Sequence, residues 1–330
     1  MIEKHFLIFI AFLFVAFLVL IYLLSSGNFV SESSKTYPAD TVNTADSVPV
    51  DSHSVASGSL PANENPSMTQ DTGFSNTIPN SELEEKAKSG WELIWNDEFN
   101  VEFINDKYWT LQTGENIWGN NELQYYTDRT DNCYIEDGKL IIRGLQEKYG
   151  NSDYTSARIV TKDKLGFLYG KIEVKAKFPE GRGLLPAIWL LPCNDIYNNR
   201  LKNGEFELVE MLGNDPEEIY GVAHYSFNKQ KKCYKKYGNG TDYSEDFHIY
   251  SVEWDSEKIE WLIDDKVYFT FNFSNTFDEN YKPFNQYFYL IINLAIGGDW
   301  PGDDLSKTTF PSLLEIDYVR YYEKRDVFPS

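Results

Sequence analysis

The chain has 330 residues and a formal net charge of −21, with 51 Asp and Glu against 30 Lys and Arg. Such an excess of negative charge repels nucleic acid and other anionic polymers, so it excludes them as preferred partners and is compatible with a neutral substrate. The cysteines, Cys133, Cys193 and Cys233, allow at most one disulfide and fit no zinc-ligand spacing. The sequence therefore predicts neither a disulfide scaffold nor a zinc protein.

The N-terminus carries an uncharged apolar run at residues 6–24. Its length is close to the roughly 20 residues that span a bilayer, and it is long for the core of a signal peptide. We therefore predict that residues 1–27 are an N-terminal transmembrane signal anchor or a signal peptide, with the uncleaved anchor favoured. The rest of the chain is then extracytoplasmic, either membrane-anchored or secreted.

Residues 28–90 are rich in Ser, Thr, Asn and Pro and show no sustained apolar periodicity. Such a segment cannot bury enough apolar surface to offset its ordering entropy, so it is predicted to be a disordered linker. Within it, Ser81 followed by residues 82–88 indicates a short capped helix. The remaining residues, 91–330, are enough for one domain with a substantial core.

The domain reads as all-β, because short apolar and aromatic runs recur between Gly, Asn and Asp turns. No helical pattern longer than two turns is evident. Many short strands over this length predict an antiparallel sandwich of two sheets, of the jelly-roll type. The clearest predicted strands are 91–95, 139–143, 171–178, 187–191, 206–210, 248–254, 259–263, 287–293 and 315–322.

Residues 204–210 read Gly-Glu-Phe-Glu-Leu-Val-Glu, which places Glu205, Glu207 and Glu210 in an apolar strand. Alternation puts Glu205 and Glu207 on one face but Glu210 on the other. A β-bulge at Leu208 or Val209 would return Glu210 to the same face. Two carboxylates about 5–5.5 Å apart would then suit retaining glycoside hydrolysis. The alternative is a solvated edge strand with scattered acids.

Tryptophans in polar, Gly-rich or Asn-rich segments are candidates for sugar binding, because an indole face suits the apolar face of a pyranose. Trp118 lies in Ile-Trp-Gly-Asn-Asn (117–121), and Trp300 lies in Gly-Gly-Asp-Trp-Pro-Gly (297–302). Loops concentrate binding residues, which favours binding over packing at both positions. For Trp189, inside a predicted strand, binding and core packing remain equally open.

Eight motifs occur in an order typical of one known family. They are Trp-Glu-Leu-Ile-Trp-Asn-Asp-Glu-Phe-Asn (91–100), Trp-Gly-Asn-Asn-Glu-Leu-Gln-Tyr-Tyr (118–126), Tyr-Thr-Ser-Ala-Arg (154–158), Leu-Pro-Ala-Ile-Trp-Leu-Leu (185–191), the heptapeptide at 204–210, Asp-Phe-His-Ile-Tyr (246–250), Asn-Leu-Ala-Ile-Gly-Gly-Asp-Trp-Pro-Gly (293–302) and Ile-Asp-Tyr-Val-Arg-Tyr-Tyr (316–322). On these motifs residues 91–324 resemble glycoside hydrolase family 16, in its laminarinase-type (endo-β-1,3-glucanase) branch.

The resemblance implies a concanavalin-like β-jelly roll with a concave sugar-binding cleft and catalysis by double displacement. The longer acidic signature of this branch, Glu-x-Asp-x-x-Glu, agrees with the inferred bulge. By position, Glu205 corresponds to the nucleophile and Glu210 to the general acid/base. Glu207 stands where the family has Asp, which hydrogen-bonds the nucleophile and helps set its ionisation.

The resemblance also implies binding residues, a metal site and an assembly state. Positions matching the sugar subsites are Trp118, Asn120, Arg158, Trp189, His224 and Trp300. Arg158 could instead close a surface ion pair, and His224 could be a satisfied loop residue. No cofactor is expected for catalysis, but a structural calcium could be held by oxygens of Glu98, Gly138 and Asp317. A monomer is expected.

Two further residues depart from the family pattern and indicate altered subsite affinity or weakened catalysis. Leu185 replaces a cleft tryptophan. Lys171 replaces an arginine, which keeps the charge but loses the planar fork of donors.

The sequence thus predicts an endo-acting retaining glycosidase that cleaves β-1,3-glucan of the laminarin type. One alternative is a related enzyme on another polysaccharide, such as a mixed-linkage glucan or a galactan, or a transglycosylase. The acidic net charge disfavours a sulfated galactan. Another alternative is a non-catalytic β-glucan-recognition protein, although such proteins in this family typically lack the outer carboxylates that are present here.

Overall fold

The computed structural model describes residues 78–226, 230–274 and 276–325. Within them it has the helices α1 (Asn80–Lys88) and α2 (Arg200–Asn203). The strands are β1 (Trp91–Asp97), β2 (Thr110–Gln112), β3 (Gln124–Tyr126), β4 (Cys133–Glu136), β5 (Lys139–Tyr149), β6 (Ser152–Ser156), β7 (Arg158–Val160), β8 (Gly170–Lys177), β9 (Leu184–Pro192), β10 (Glu205–Met211), β11 (Ile219–Ser226), β12 (Gln230–Tyr237), β13 (His248–Trp254), β14 (Lys258–Ile263), β15 (Lys266–Asn272), β16 (Phe288–Ile296) and β17 (Ser312–Lys324).

The strands of the described residues form two sheets. A ten-stranded sheet has the order β15-β14-β13-β8-β17-β5-β6-β3, with β1 paired to β17 and β4 to β5. A seven-stranded sheet has the order β12-β11-β10-β9-β16-β7-β2. Neighbouring strands are antiparallel except for the parallel pair β3 and β6. The predicted all-β, two-sheet fold is confirmed.

The core lies between the sheets and follows from alternation along each strand. In β10 the inward side chains Phe206, Leu208 and Met211 are fully buried, and in β8 the inward Ile172 and Val174 are as well. Burial of such side chains contributes about 1.5–3 kcal/mol each, which fixes the face that each strand turns inward. The side chains between them in β10 and its neighbours therefore project from the opposite face of the seven-stranded sheet. We call this the carboxylate face, because Glu205, Glu207 and Glu210 lie on it.

Each predicted strand coincides with an observed one or overlaps it. The sequence reading did not identify β11 and β12, which complete the seven-stranded sheet beside β10. In β12, Gln-Lys-Lys-Cys-Tyr-Lys-Lys-Tyr has too few apolar residues to read as a strand. It forms one because it pairs with β11 along its whole length.

Helix α1 lies within the segment that was predicted to be a linker. Ile78 is buried, and the ammonium of Lys86 lies 2.8 Å from the carboxylate of Glu173 on β8. Glu82 pairs with Arg320 on β17. Residues 78–90 therefore pack against the domain, so its folded part begins before residue 91. The predicted helix is confirmed, although Pro79 occupies the N-cap position and no side chain caps it.

The contact of α1 buries a charged group on the outer side of the ten-stranded sheet. The Glu173 side chain is 0% exposed and interacts with the ammonium groups of Lys86 and Lys171, at 2.8 and 3.5 Å. It also accepts a 3.0 Å hydrogen bond from the Tyr318 hydroxyl. A buried carboxylate is tolerated because it is paired and hydrogen-bonded, and loss of a partner is costly.

No helix among the described residues is long and apolar enough to cross a bilayer. The predicted anchor or signal peptide at 1–27, and the linker up to residue 77, lie outside the described residues.

Replacing Lys86 by Met should lower the free energy of unfolding by about 2 kcal/mol, because Glu173 would lose one of its two cations while it stays buried. Urea unfolding followed by tryptophan fluorescence measures the change. Glu84→Gln, on an exposed position of the same helix, is the matched control and should change stability by less than about 0.5 kcal/mol. Equal effects of the two substitutions would contradict the buried pairing.

Candidate active site

The β-bulge that was predicted from the alternation of side chains is present in β10. Against β11, Glu205 pairs with His224 and Glu207 with Val222, but the next pair is Glu210 with Tyr220. Two residues of β10 therefore oppose one of β11. Against β9 the register shifts between Glu207 and Val209, which leaves Leu208 as the extra residue. The shift returns Glu210 to the face that carries Glu205 and Glu207, as predicted.

The bulge is held from the core side by Trp261 of β14. Its indole nitrogen donates a 2.7 Å hydrogen bond to the backbone oxygen of Glu207. The residue of β11 opposite the bulge is Gly221, where a Cβ atom would lie 2.7 Å from the Trp261 ring. Only glycine lets the indole reach this carbonyl, so Gly221 and Trp261 together fix the backbone that presents the three carboxylates.

Burial and neighbouring charges give the three carboxylates different pKa values. Removal from water, together with the charge of Glu205, raises the pKa of Glu210 to about 8, an effect that Lys232 opposes. Burial, followed by the charges of Glu205 and Glu210, raises the pKa of Glu207 well above its ordinary range. At neutral pH both Glu207 and Glu210 are therefore protonated.

Glu205 behaves in the opposite way. Burial alone would raise its pKa, but the charges of Arg200 and His224 and hydrogen bonds with Arg200 and Glu207 lower it overall. The guanidinium of Arg200, on α2, lies 3.1 Å from the Glu205 carboxylate. The imidazole of His224 lies 3.6 Å from Glu207. Glu205 is thus the carboxylate that stays ionised, beside two protonated neighbours.

One group of potential metal ligands occurs among the described residues. Ligand atoms of Glu205, Glu207 and His224 lie within 4.8 Å of one another. The guanidinium of Arg200 already interacts with Glu205, and Lys232 is close enough to affect the pKa of Glu210. These positive charges oppose binding of a further cation, so the group favours acid–base chemistry over a metal centre.

Beyond β9 the carboxylate face carries a stack of aromatic and cationic side chains. The guanidinium carbon of Arg158 lies 5.1 Å from the ring centroid of Trp118 and 4.7 Å from that of Trp189. Arg158 is 8% exposed and donates a 2.7 Å hydrogen bond to Gln112. It therefore forms no surface ion pair. Instead it fixes the two indoles that the sequence selected as sugar platforms.

A buried polar network supports this stack. The indole nitrogen of Trp189 donates to Asn293 at 2.7 Å, and the amide of Asn293 donates to the Tyr126 hydroxyl at 3.1 Å. That hydroxyl donates to Glu122 at 3.2 Å, and Gln124 donates to the same carboxylate at 2.6 Å. Burial raises the pKa of Glu122 despite these hydrogen bonds. The network holds the indole of Trp189 on the carboxylate face rather than in the core, and its binding of sugar stays a prediction.

Trp300 and Asn120 lie in two loops that contact each other. The ring of Trp300 packs edge-on against Tyr220, with the centroids 5.2 Å apart. Tyr220 is the cross-strand partner of Glu210, so Trp300 lies beside the catalytic strand. The backbone oxygen of Asn120 accepts a 2.8 Å hydrogen bond from Asp299. Asn120 thus ties the loop before β3 to the loop that carries Trp300.

The predicted calcium ligands have other side-chain partners. Arg320 donates to both oxygens of Glu98, at 2.8 and 2.9 Å, and the ammonium of Lys175 lies 2.6 Å from Asp317. A Cβ atom at Gly138 would lie 3.1 Å from the side-chain oxygen of Asn100. Calcium requires several oxygen ligands, whereas each of these carboxylates faces a cation. The carboxylates of Glu98 and Asp317 are thus paired with cations, and a calcium ion held by oxygens of Glu98, Gly138 and Asp317 stays a prediction.

The two other departures lie in different places. Leu185 follows the alternation of β9 onto the carboxylate face, on the same side as Trp189, which agrees with a lost subsite aromatic. Lys171 is on β8, where it hydrogen-bonds Asp265 at 2.9 Å and lies 3.5 Å from Glu173. The presence of lysine here instead of the family's arginine therefore affects the contact with α1 on the ten-stranded sheet and does not affect the affinity of a sugar subsite.

Several residues of the site were not identified from the sequence. Arg200 begins the short helix α2, outside any motif, and its signal is only its spacing of five residues before Glu205. Lys232 belongs to an unrecognised strand. Asn293 and Trp261 sit in apolar strands, where a single polar or indole group gives no indication of its partner. Only the pairing of strands brings these side chains to the acidic heptapeptide.

Comparison with known proteins accounts for this site. The family model described as glycosyl hydrolases family 16 matches residues 105–320. The chain belongs to glycosyl hydrolase family 16. A "Beta-glucanase" of Rhodothermus marinus is 38% identical in an alignment of 243 positions, which covers 70% of this chain and 85% of the relative. A "Glucan endo-1,3-beta-glucosidase" of Cryptopygus antarcticus is 37% identical in an alignment of 259 positions, which covers 71% of this chain and 93% of the relative.

A solved structure is similar over the same domain. The laminarinase catalytic domain of Thermotoga maritima superposes with a TM-score of 0.65 at 38% identity, covering 72% of this chain and 99% of that one. A second family model, described as beta-glucan synthesis-associated protein SKN1/KRE6/Sbg1, matches residues 2–194. The N-terminal part of the chain is therefore also similar to proteins associated with β-glucan synthesis, and this match overlaps the family 16 match.

Replacing Trp261 by Phe should lower kcat for glycoside cleavage at least tenfold, because the bulge loses its hydrogen bond and Glu205 and Glu210 lose their alignment. Trp254→Phe is the matched control, since its buried indole also packs against the catalytic strand, at Phe206, but donates to the backbone of Phe284 at 3.0 Å and not to the bulge. Both variants should lose roughly 1–3 kcal/mol of stability. A similar kcat for the two would show that the indole of Trp261 does not set the catalytic geometry.

Proposed function

We propose that the protein is an endo-acting retaining glycosidase that cleaves β-1,3-linkages of laminarin-type β-glucan. The observation that carries the proposal is the bulge of β10, which puts an ionised Glu205 and a protonated Glu210 on one face. The linkage is supported by the relatives named glucan endo-1,3-beta-glucosidase and laminarinase. We place the enzyme outside the cytoplasm, as a monomer that is membrane-anchored or secreted through residues 1–27.

In the first step Glu205 attacks the anomeric carbon of the sugar as Glu210 donates its proton to the leaving glycosidic oxygen. The C–O bond to the leaving chain breaks, and an ester bond to Glu205 forms. An ionised nucleophile and a protonated acid are required together. The opposed pKa shifts supply this pair near neutral pH.

In the second step Glu210, now ionised, removes a proton from water. The water attacks the anomeric carbon, and the ester bond to Glu205 breaks. The product keeps the configuration of the substrate because the carbon is inverted twice. Glu210 regains its proton, and Glu205 returns to its ionised state.

Glu207 acts as a positioning residue for the nucleophile. With its pKa raised well above the ordinary value, it stays protonated and can donate a hydrogen bond to the Glu205 carboxylate. Its cross-strand neighbours are Val222 and Trp189. Glu207 takes this position with a side chain one methylene longer than the family's Asp.

The aromatic stack beyond β9 is proposed to bind the sugars of the chain. Trp118 and Trp189 offer indole faces for pyranose rings, and Arg158 keeps them in place. His224 and Trp300 flank the carboxylates from β11 and from the loop after β16.

A second candidate is glucan remodelling by transglycosylation, in which a sugar hydroxyl replaces water in the second step. It is favoured by the match of residues 2–194 to the family model of proteins associated with β-glucan synthesis. Both activities use the same Glu205 and Glu210, so product analysis distinguishes them.

The wild-type protein is expected to release reducing ends from laminarin faster than from lichenan or agarose. Glu205→Gln should lower kcat by at least about 10⁴-fold, because the nucleophile is lost. Glu217→Gln, at an exposed position after the catalytic strand, is the matched control and should retain activity. Longer products than substrate would support transglycosylation, and binding of laminarin without any cleavage would indicate a recognition protein.

The pH dependence of kcat/KM should be bell-shaped. Because Glu210 must be protonated, activity should fall above about pH 8. Because Glu205 must be ionised and its pKa is lowered from the ordinary 4.5, activity should persist to below pH 4.5 if the fold remains intact. Initial rates on laminarin from pH 3 to 10, with intrinsic fluorescence as the check on folding, measure both limbs.

Arg200→Gln separates the two limbs. It removes the cation that holds the pKa of Glu205 low, so the acidic limb should move to higher pH while the basic limb changes less. The control is Arg325→Gln, which alters an exposed ion pair with Glu92 and should leave the profile unchanged. An acidic limb that does not move would contradict the assignment of Glu205 as the ionised group.

A further inference from the structure

The loop that connects β2 to β3, residues 113–123, carries Trp118 of the aromatic stack. We call it the platform loop. Its backbone passes from the seven-stranded sheet to the ten-stranded one, and Asn116 and Asn120 adopt positive φ angles of 59° and 56° on the way. Such a conformation is uncommon for residues other than glycine and persists where the surroundings hold it. The position of the Trp118 indole therefore depends on what holds this loop.

Backbone hydrogen bonds fix both ends of the platform loop. Gly114 and Tyr126 exchange two of them, at 3.0 and 2.9 Å, and the Gly114 oxygen also accepts a 2.9 Å bond from the Trp118 indole. At the other end, the backbone nitrogen of Asp299 donates to the Asn120 oxygen at 2.8 Å. Trp118 lies between these two anchors, so an attachment within that segment acts directly on the position of the indole.

Glu115 supplies such an attachment. Its carboxylate accepts hydrogen bonds from the side-chain amide of Asn151 at 2.7 Å, from the backbone nitrogen of Asn151 at 3.1 Å and from the Ser152 hydroxyl at 2.9 Å. The bond from the Asn151 side chain is the largest influence on this carboxyl group and lowers its pKa, so Glu115 is ionised at neutral pH. Hydrogen bonds to an ionised acceptor are stronger than those between neutral groups. We call these contacts the Glu115 latch.

The latch ends on a well-packed support, the hairpin of β5 and β6. Strand β6 pairs with both β5 and β3. The ring of Tyr149 packs edge-on against Tyr125 of β3, with the centroids 4.9 Å apart, and the guanidinium carbon of Arg129 lies 4.6 Å from the Tyr149 centroid. Gly150, with a φ of 59°, brings the turn so close that a Cβ atom there would lie 3.2 Å from the Tyr125 ring. The latch therefore joins the platform loop to a packed part of the ten-stranded sheet.

Trp118 lies away from the carboxylates of the catalytic strand. Its partner in the stack, Arg158, is on β7, three strands from β10 in the order β10-β9-β16-β7. At about 4.8 Å per strand, that is roughly 14 Å across the sheet from the strand that carries Glu205. A platform at this distance binds the ground state and the transition state equally, so it affects KM and not kcat. A platform that is already in place also costs less conformational freedom on binding than one that must be ordered.

We propose that Glu115 is a positioning residue for Trp118, and that the latch gives the enzyme a preference for long chains over short oligosaccharides. A chain long enough to reach Trp118 from the cleavage point gains a preformed indole face, whereas a shorter chain gains nothing from it. The inference rests on the proposed function, because the sugar on Trp118 belongs to the same β-1,3-glucan that Glu205 and Glu210 cleave.

The first test is the dependence of the kinetics on chain length, measured with the full-length protein. Glu115→Ala should raise KM for laminarin about fivefold and leave kcat within about twofold of wild type, because only binding loses its preformed surface. On β-1,3-linked glucose oligosaccharides, the ratio of wild-type to variant kcat/KM should be close to one for the shortest that are cleaved and should rise with length. An equal ratio at every length would overturn the proposal.

Asn151→Ala removes the 2.7 Å donor from the other side of the latch and should reproduce the effect of Glu115→Ala. Asp153→Asn is the matched control, because it alters an exposed ion pair with Lys148 on the same hairpin. The control should keep the wild-type KM at every chain length. Equal effects of Asp153→Asn and Glu115→Ala would contradict the latch.

A Trp118→Ala background tests whether Glu115 acts through the indole. Adding Glu115→Ala to this variant should raise KM no further, since the platform that Glu115 positions is already absent. Hydrogen exchange measured by mass spectrometry should become faster in residues 113–123 of Glu115→Ala and stay unchanged in β10. Additive effects on KM, or faster exchange in β10 as well, would assign Glu115 a general structural role and overturn the proposal.

Affinity electrophoresis of Glu205→Gln in laminarin gels, with and without Glu115→Ala, tests binding without cleavage. If the wild type cleaves laminarin but Glu115→Ala changes neither KM nor mobility, the positioning role fails and the proposed function stands. If no polymer is cleaved but laminarin retards Glu205→Gln less once Glu115 is replaced, the proposed function fails and the positioning role stands. If neither cleavage nor retardation occurs, both are rejected.

Discussion

The arrangement of the site depends on one hydrogen bond, from the indole of Trp261 to the backbone oxygen of Glu207. A β-strand of regular alternation cannot present residues five apart on the same face. The bulge at Leu208 removes this restriction, but it interrupts the ladder and leaves backbone groups to be satisfied from elsewhere. Trp261 supplies a donor from the core, and Gly221 provides the space for it. The core is therefore not a passive support, since it determines where the carboxylates point.

The chemistry then follows from how the bulged strand is surrounded. Three carboxylates in a partly dry environment cannot all be ionised, so cations on neighbouring elements decide which one keeps its charge. Arg200 is next to Glu205, while burial keeps the protons on Glu207 and Glu210. The extra methylene of Glu207 is accommodated in this setting. Its protonation is set by the surroundings of the carboxyl group and not by the length of the side chain.

The sequence was informative wherever a residue pattern has a local cause. Alternation of apolar residues predicted the central strands, and the spacing of Glu205 and Glu210 predicted the bulge before any geometry was known. Strand β12 was not predicted, because its four lysines are compatible with a strand only through pairing with β11. Lys232 was missed for the same reason. Arg200 lies only five residues before Glu205, but no motif marks it, and its role depends on how helix α2 meets β10. The role of Lys171 was misjudged because a motif does not show which sheet its residue joins.

The net charge of the whole chain also differs from the charge close to the site. A value of −21 describes the field far from the protein, where it opposes any polyanion. At the Glu205 carboxylate the local field is set instead by Arg200 and His224, whose charges lower its pKa. A global count of charges therefore does not determine the ionisation of a single carboxylate in the site.

The attachment of helix α1 has a mechanical consequence. Lys86 and Glu82 join the helix to Glu173 and Arg320 on the ten-stranded sheet, whereas the catalytic carboxylates belong to the seven-stranded one. A pulling force applied to the chain before Ile78 would load these ion pairs and the sheet behind the core first. Strand β10 and its bulge are not in the direct line of that force, so tension on the polypeptide would release α1 before it disturbed the alignment of Glu205 and Glu210.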